Sequence, residues 1–224
     1  MIYAMSDLHG CYNKYIKMLD KINFSEKDTL YVLGDIVDRG NGGIDIIQDM
    51  IKRKNIIPII GNHDSLAYRM LKYIHKKMDE NNYIKFFSWI LDGGAATYDA
   101  FMRLDTERQN KILSYINSFL IYDEIKIKEK TFFMSHTVPQ KERMINFDKL
   151  LWQEFIVGEP DYEECYFEDK YIVTGHTPTA FIDPNCKRKI YKKNNHIAID
   201  CGAVFGNPLG CICLDTLEEF YVEE

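Results

Sequence analysis

No run of this chain approaches the roughly 18 consecutive apolar residues that span a bilayer, so no membrane-crossing helix is expected. The N-terminus reaches Ser6 and Asp7 after only a strand's worth of apolar residues. That is too little for a signal-peptide core, so neither export nor a membrane partner is expected. The six cysteines (11, 165, 186, 201, 211 and 213) contain no C-x-x-C pair. A chain of 224 residues can bury a full core without disulfide staples, so reduced thiols and a cytoplasmic location are expected. Cys211 and Cys213 flank Ile212 in an apolar run, which reads as packing on one sheet face rather than zinc binding. A basic stripe is also missing. The net charge is −6, and the lysines of 125–130 and 187–193 alternate with apolar residues as on solvated strands or hairpins. A nucleic-acid partner is therefore not expected. There is no internal repeat, no low-complexity tract and no flexible linker, so residues 1–224 are expected to form one domain, as a monomer or weak oligomer.

What is present is an ordinary globular composition, 46% hydrophobic and 28% charged. The first third alternates strand and helix. Strands are predicted at 2–5, 30–33 and 56–60, and helices at 12–22 and 43–52, where apolar residues recur at helical spacing. Two consecutive β-α-β units imply a parallel sheet with right-handed crossovers. From about 65 to 120 the pattern turns helical, with segments at 66–78, 83–91, 95–101 and 107–119. We expect these to form a helical insert. Short strands follow at 121–127, 131–134, 171–173, 189–191, 196–199, 210–215 and 218–222. A helix is predicted at 147–157 and an irregular acidic stretch at 158–168.

Six polar clusters punctuate this framework: Ser6-Asp7-Leu8-His9-Gly10, Gly34-Asp35-Ile36-Val37-Asp38-Arg39-Gly40, Gly61-Asn62-His63-Asp64, Ser135-His136, Gly175-His176-Thr177 and Asp200-Cys201-Gly202. Each of the first five directly follows a short apolar run, so their side chains gather at strand ends, where open α/β sheets bind ligands. Asp7 and His9 can turn toward one point, and the carboxylate of Asp35 has two oxygens with which to bridge two cations. Asn62, His136 and His176 add neutral oxygen and nitrogen donors. Oxygen and imidazole ligands without thiolate suit Mn, Fe, Zn, Ni or Mg. Two such ions about 3.5–4 Å apart clamp a phosphoryl group and activate water near neutral pH. One Asp-x-His, or one Asn in a turn, would be unremarked. Four of the six histidines at predicted strand ends beside Gly or Asp form a pattern. His75 and His196 fall outside it and read as a surface helix position and a strand position.

These motifs resemble the phosphoprotein phosphatase branch of the calcineurin-like metallophosphoesterases, in its small bacterial and phage form. That branch carries G-D-x-H-G, G-D-x-V-D-R-G and G-N-H-[ED], then two separated histidines. Here Ser6 replaces the first Gly, Gly34 to Gly40 is complete, and Gly61 to Asp64 matches. The resemblance covers residues 1 to about 206. It implies an α/β layered sandwich of two mixed sheets flanked by helices. By the same resemblance Asp7, His9 and Asp35 would hold one metal, and Asp35, Asn62, His136 and His176 the other. Mn is the first choice for both. Arg39 would grip phosphate oxygens as a bidentate fork. Asn62 would also border the substrate, and His63, oriented by Asp38, would protonate the leaving oxygen.

The relatives usually carry a second phosphate-binding Arg after a Leu-Leu-Trp-like segment. Here Leu150-Leu151-Trp152 is followed by Gln153-Glu154-Phe155, and Glu159 stands before Pro160. Arg143 is the nearest substitute. The resemblance implies first a phosphomonoesterase acting on phosphoserine or phosphothreonine in protein. The alternatives are a dinucleoside polyphosphate hydrolase, since bacterial diadenosine tetraphosphatases share these motifs, and a weakened phosphoprotein-binding module.

Overall fold

A computed structural model describes residues 1–74 and 79–223; the expected helical position of His75 lies outside the described residues. Strand β1 (Ile2–Met5), helix α1 (Tyr12–Lys21), β2 (Thr29–Leu33), α2 (Gly43–Met50) and β3 (Ile56–Ile59) follow the predicted alternation. The parallel pairings β1–β2 and β2–β3 are those of two successive β-α-β units. Antiparallel β9 (Leu209–Cys213) and β10 (Glu219–Val222) extend this first sheet to the order β10-β9-β1-β2-β3. The second sheet contains β4 (Tyr122–Ile127), β5 (Lys130–Ser135), β6 (Lys170–Thr174), β7 (Tyr191–Lys193) and β8 (His196–Ala198), in the order β4-β5-β6-β8-β7. Both sheets mix parallel and antiparallel pairs, as the resemblance implied.

The period of two along each strand sorts side chains to opposite faces, giving one core between the sheets and one outside each. Phe133 and Ile172 of the second sheet enter the third of these, with Met144 and Phe155. Ala4, Leu33, Ile59 and Ile212 meet Phe132, Met134, Val173 and Ile197 between the sheets. Tyr3, Met5, Cys211 and Cys213 point the other way, into the core beneath α1 and α2. Both cysteines are thus packing residues on one face, as their spacing implied.

Helices α3 (Asn62–Lys72), α4 (Glu80–Trp89), α5 (Ala95–Met102) and α6 (Thr106–Ile116) bury Trp89, Phe101, Ile112 and Ile116 in that same core. Several boundaries differ from the sequence reading. The strand expected at 189–191 lies at Tyr191–Lys193, and the helix expected at 107–119 ends at Ile116. Two helices start several residues early. Helix α3 begins at Asn62 rather than 66, because Asp64 accepts the Gly61 N–H at 3.1 Å and closes its first turn. Helix α4 begins at Glu80 because the Asp79 side chain caps it by accepting from the Asn82 N–H. The segment expected to be a helix at 147–157 is instead two 3₁₀ turns, Phe147–Lys149 and Trp152–Phe155, joined by extended Leu150 and Leu151. Its apolar periodicity serves an aromatic cluster, since Phe147 and Phe155 each lie 5.3 Å from the Tyr122 ring. Two short helices, α7 (Lys141–Met144) and α8 (Thr179–Ile182), escaped the sequence reading.

Candidate metal centre

The loops after β1, β2, β3, β5 and β6 converge. Six residues in them adopt positive φ without being glycine: Asp7, His9, Asp35, Asp38, Arg39 and His176, between 38° and 70°. Such a conformation costs on the order of 1–3 kcal/mol per residue and persists where surrounding contacts over-determine it. Those contacts are visible. The backbone N–H groups of His9 and Gly10 donate to the carbonyls of Asp35 and Ile36, lacing the first loop to the second. Asp64 accepts from the backbone of Gly61, Ile36 and Val37, tying the second loop to the start of α3. Sequence reasoning assigned Asp64 no role.

At the centre, Asp35 Oδ2 lies 3.5 Å from the Nε2 atoms of both His9 and His136. Asp35 belongs to two potential metal-holding groups, one with His9 and His63, the other with His136 and His176. His9 Nδ1 donates to the Val37 carbonyl at 3.0 Å, and His136 Nδ1 donates to the Leu33 carbonyl at 2.8 Å. These bonds fix the tautomers, so each Nε2 presents a lone pair to the centre. His136 Nε2 sits 3.0 Å from Asn62 Oδ1 and 3.1 Å from His176 Nδ1, which is itself 3.1 Å from Asn62 Oδ1. With the Nδ1 proton of His136 donated to Leu33, its Nε2 faces Asn62 Oδ1 as acceptor against acceptor, and any His176 lone pair turned inward adds to the repulsions. A cation among them converts those repulsions into coordination, and the all-oxygen-and-imidazole donor set fits a divalent ion.

The electrostatics agree. Asp7, Asp35, Asp38, Asp64 and Asp200 are all buried. Burial, then Asp200 and Asp35, push the Asp7 carboxyl well above its ordinary range. Burial and Asp35 raise Asp64 to about 7, and burial also raises Asp200 to about 7. Burial opposes ionisation of Asp35 too, but the imidazoles of His136, His9 and His63 outweigh it and hold it low. Burial lowers His9 and His176 to about 4, keeping both neutral and able to ligate. A crowd of buried carboxylates with neutral imidazoles is a site that positive charge stabilises.

Beside this cluster, His63 Nδ1 donates to Asp38 Oδ2 at 2.9 Å. Burial lowers the His63 pKa, but this bond and the charges of Asp35 and Asp38 raise it above the ordinary value. Trp89 Nε1 and Thr97 Oγ1 donate to the Asp38 carboxylate at 2.9 and 2.7 Å, and the Arg39 N–H donates to the Gly93 carbonyl at 2.9 Å. These three partners come from the helical insert and were invisible in the motifs. The Asp92-Gly93-Gly94 break between helices was their one sequence signal. Gly93 has φ +99°, and a Cβ there would stand 2.8 Å from both Arg39 Cγ and Arg39 N. Arg39 spans the site, with Nη1 against His9 Nε2 and Nη2 3.0 Å from His63 Nε2.

The structure therefore gathers Asp7, His9, Asp35, Asp38, Arg39, Asn62, His63, His136 and His176. Arg143 is not among the gathered residues. It lies on the exposed surface, where its Nε and Nη2 donate to the two carboxylate oxygens of Glu154, each at 2.9 Å. Glu159 is exposed. His196 is buried in β8, with Nε2 2.8 Å from Thr174 Oγ1, matching its reading as a strand position. Among the described residues, no helix is long and apolar enough to cross a membrane.

Comparison with known proteins agrees with this geometry. A family model described as Calcineurin-like phosphoesterase matches residues 1–205. The asymmetrical bis(5'-nucleosyl)-tetraphosphatase of Oceanobacillus iheyensis is 26% identical over 235 aligned positions, covering 93% of this chain and 86% of that protein. A symmetrical bis(5'-nucleosyl)-tetraphosphatase of Buchnera aphidicola is 36% identical over 89 residues, 39% of this chain. That match spans only a third (33%) of the relative's own length. A crystal structure named provisionally for a diadenosine tetraphosphatase superposes with TM-score 0.70 at 17% identity, covering 99% of this chain and 92% of that one. A serine/threonine phosphatase from Saccharomyces cerevisiae superposes with TM-score 0.59 at 14% identity, covering 100% and 80%. At such identities the solved structures establish a shared fold alone.

Proposed function

Because this chain belongs to the calcineurin-like phosphoesterase family, we propose that it hydrolyses a dinucleoside polyphosphate, cleaving a tetraphosphate bridge asymmetrically. The coarser statement, a metal-dependent phosphoesterase of α/β fold with two mixed sheets flanked by helices, needs no proposal. The finer one rests on the likeness to the asymmetrical tetraphosphatase, which runs along 93% of the chain. It reverses the order of the readings drawn from the motifs, which put phosphoserine and phosphothreonine in protein first. The likeness to a protein phosphatase extends only to fold.

In this reading Asp7, His9 and Asp35 hold one divalent cation and Asp35, Asn62, His136 and His176 hold a second, with Mn the favoured ion. The gathering of acceptor atoms around Asp35 supports the places of His9, His136, His176 and Asn62. Asp7, buried with Oδ2 accepting the His176 N–H at 3.0 Å, enters by its motif. His63, although it stands near His9 and Asp35, is given the proton role because its Nδ1 is committed to Asp38. Two cations held there would supply Lewis acidity and lower the pKa of bound water. Arg39, whose Nη1 and Nη2 rest against His9 and His63, would turn these nitrogens to phosphate oxygens once a cation occupies the site, a fork matched to them. Asp38 holds Nδ1 of His63 and fixes the ring. His63 Nε2, now 3.0 Å from Arg39 Nη2, would carry the proton for the departing oxygen once Arg39 turns to phosphate.

The test is turnover of diadenosine tetraphosphate, a phosphoserine peptide and an aryl phosphate with Mn, with nucleotide products separated by chromatography. ATP plus AMP is the expected outcome. Two ADP would overturn the asymmetrical cut, and peptide dephosphorylation without nucleotide turnover would overturn the substrate class.

A further inference from the structure

A groove of about 180 Å³ opens directly off the metal centre, its lining including Arg39, His176, Asp200, Pro178, Phe181 and Phe205. Pockets that enclose a whole drug-sized ligand run to about 300–1,000 Å³. This groove therefore accommodates one ring system, not an entire dinucleotide. Its two aromatic rings stand in solvent: Phe181 is 81% exposed and Phe205 61%. Leaving a phenyl ring in water forfeits the burial that ordinarily stabilises it.

Both rings are held out by well-anchored backbone. Asp200 organises the two segments, because its carbonyl accepts the Thr179 N–H that opens α8, and its Oδ1 accepts the Gly202 N–H, each at 2.8 Å. The 3₁₀ turn Ala203–Phe205 follows Gly202, whose φ is +78° and where a Cβ would stand 2.8 Å from Asn207 Nδ2. Lys14 Nζ donates to the Ala203 and Asn207 carbonyls at 3.0 and 2.7 Å, bolting this loop to α1. The Arg39 guanidinium carbon lies 5.5 Å from the Phe205 ring centroid. A fixed, solvent-facing aromatic thus adjoins the guanidinium placed to grip phosphate.

We propose that Phe205, with Phe181 lining the same groove, is the stacking platform for one nucleobase of the substrate, so that these rings confer selectivity for nucleoside over bare polyphosphates. The inference rests on the dinucleoside polyphosphate reading above. A planar base joined to phosphate is the chemistry that suits an aromatic ring beside Arg39. Every base has a π-face, so the platform would accept purines with little regard to their hydrogen-bonding edges. Asp200, buried in the groove lining, organises it without needing to touch the base.

The experiment compares kcat/KM for diadenosine tetraphosphate and for inorganic tetraphosphate in the Mn-loaded wild type, Phe205→Ala, Phe181→Ala and Phe205→Trp. The ratio of the two should fall roughly 5–100-fold in Phe205→Ala, the loss expected for one base–aromatic stack. Phe181→Ala should lower it less, and Phe205→Trp should keep it. Because the ratio is read, any slackening of Arg39 in Phe205→Ala cancels. An unchanged ratio overturns the proposal and leaves the substrate class standing. If the wild type turns over a phosphopeptide but not diadenosine tetraphosphate, the substrate reading fails. Stacking is then read from ADP and pyrophosphate as competitors of that reaction. Tighter inhibition by ADP, lost in Phe205→Ala, supports the platform; equal inhibition by both overturns it.

Discussion

His63 and Asp38 form a buried pair, Nδ1 to Oδ2 at 2.9 Å, with side chains only 4% and 0% exposed. The pair orients the imidazole and stabilises its protonated form, which suits His63 for protonating a leaving group. For an alkoxide leaving from phosphoserine, that proton is worth roughly 10²–10⁴ in rate. A nucleotide leaving from a phosphoanhydride departs as a phosphate oxygen, whose second pKa near 6 makes protonation far less necessary. His63→Asn should therefore cut turnover of a phosphoserine peptide by roughly 10²–10⁴-fold and of diadenosine tetraphosphate much less. Metal content should stay unchanged. Equal losses on both substrates would assign His63 to substrate orientation instead.

Trp89 and Thr97 act on His63 only through Asp38. A hydrogen bond to a charged group is worth about 1.5–3 kcal/mol, so Trp89→Phe and Thr97→Val should each lower kcat by roughly tenfold or more with KM little altered. The loss should follow the same leaving-group dependence as His63→Asn. A purely structural role would instead lower thermal stability and affect all substrates alike.

Asp35 stands in both potential metal groups. Asp35→Asn removes the charge that balances two cations, so it should reduce bound metal more than Asn62→Ala does and abolish turnover. Elemental analysis of both variants, alongside chelation of the wild type and restoration with Mn, decides this. Full activity after thorough chelation would contradict the metal assignment.

Arg39 touches the cluster and Arg143 does not. Arg39→Ala should raise KM and reduce kcat, because transition-state charge loses its guanidinium partner. Arg143→Ala should leave both unchanged, since its guanidinium is already engaged by Glu154 on the surface. Steady-state kinetics on the two variants separates them; a comparable loss in both would show that Arg143 leaves Glu154 when substrate binds.

Burial drives His196 to about 3, with Tyr162 packed against its ring at 4.7 Å. Its unfolded pKa is about 6.5. Between those values the unfolded chain carries a proton that the folded chain does not, so stability is full above pH 6.5 and falls as pH drops toward 3. From pH 7 to 5 this single group should cost about 2 kcal/mol. Asp7, Asp64, Asp200, His9 and His176 also shift between folded and unfolded chain, so the measurement is a difference. In urea unfolding of the chelated proteins from pH 7 to 5, the wild type should lose about 2 kcal/mol more than His196→Gln. An undiminished loss in His196→Gln would place the acid sensitivity elsewhere.

Much of this protein is local information. Short apolar runs ending in Gly, Asp or Asn specify strands that stop where ligands begin. The donors themselves, Asp7, His9, Asp35, Asn62, His136 and His176, are legible because ligand chemistry belongs to residue type. The alternation of strand and helix to residue 60 is legible for a similar reason: each element buries one face, and periodicity records which.

The tertiary structure decided what depends on partners distant in sequence. Trp89 and Thr97 reach Asp38 across 51 and 59 residues, so the insert's part in the site appears only once α4 and α5 pack beside the second loop. Arg143 looked available for phosphate until the chain turned it onto Glu154. Residues 147–157 have helical spacing, but aromatic packing of Phe147 and Phe155 on Tyr122 outweighed that weak local preference. Phe181 and Phe205 read as ordinary apolar residues, and only the fold set them exposed in the lining of one groove. Propensity and motif act through neighbours in sequence, whereas these features are fixed by packing between elements: the insert against the helix side of the first sheet, and the aromatic cluster on the outer face of the second.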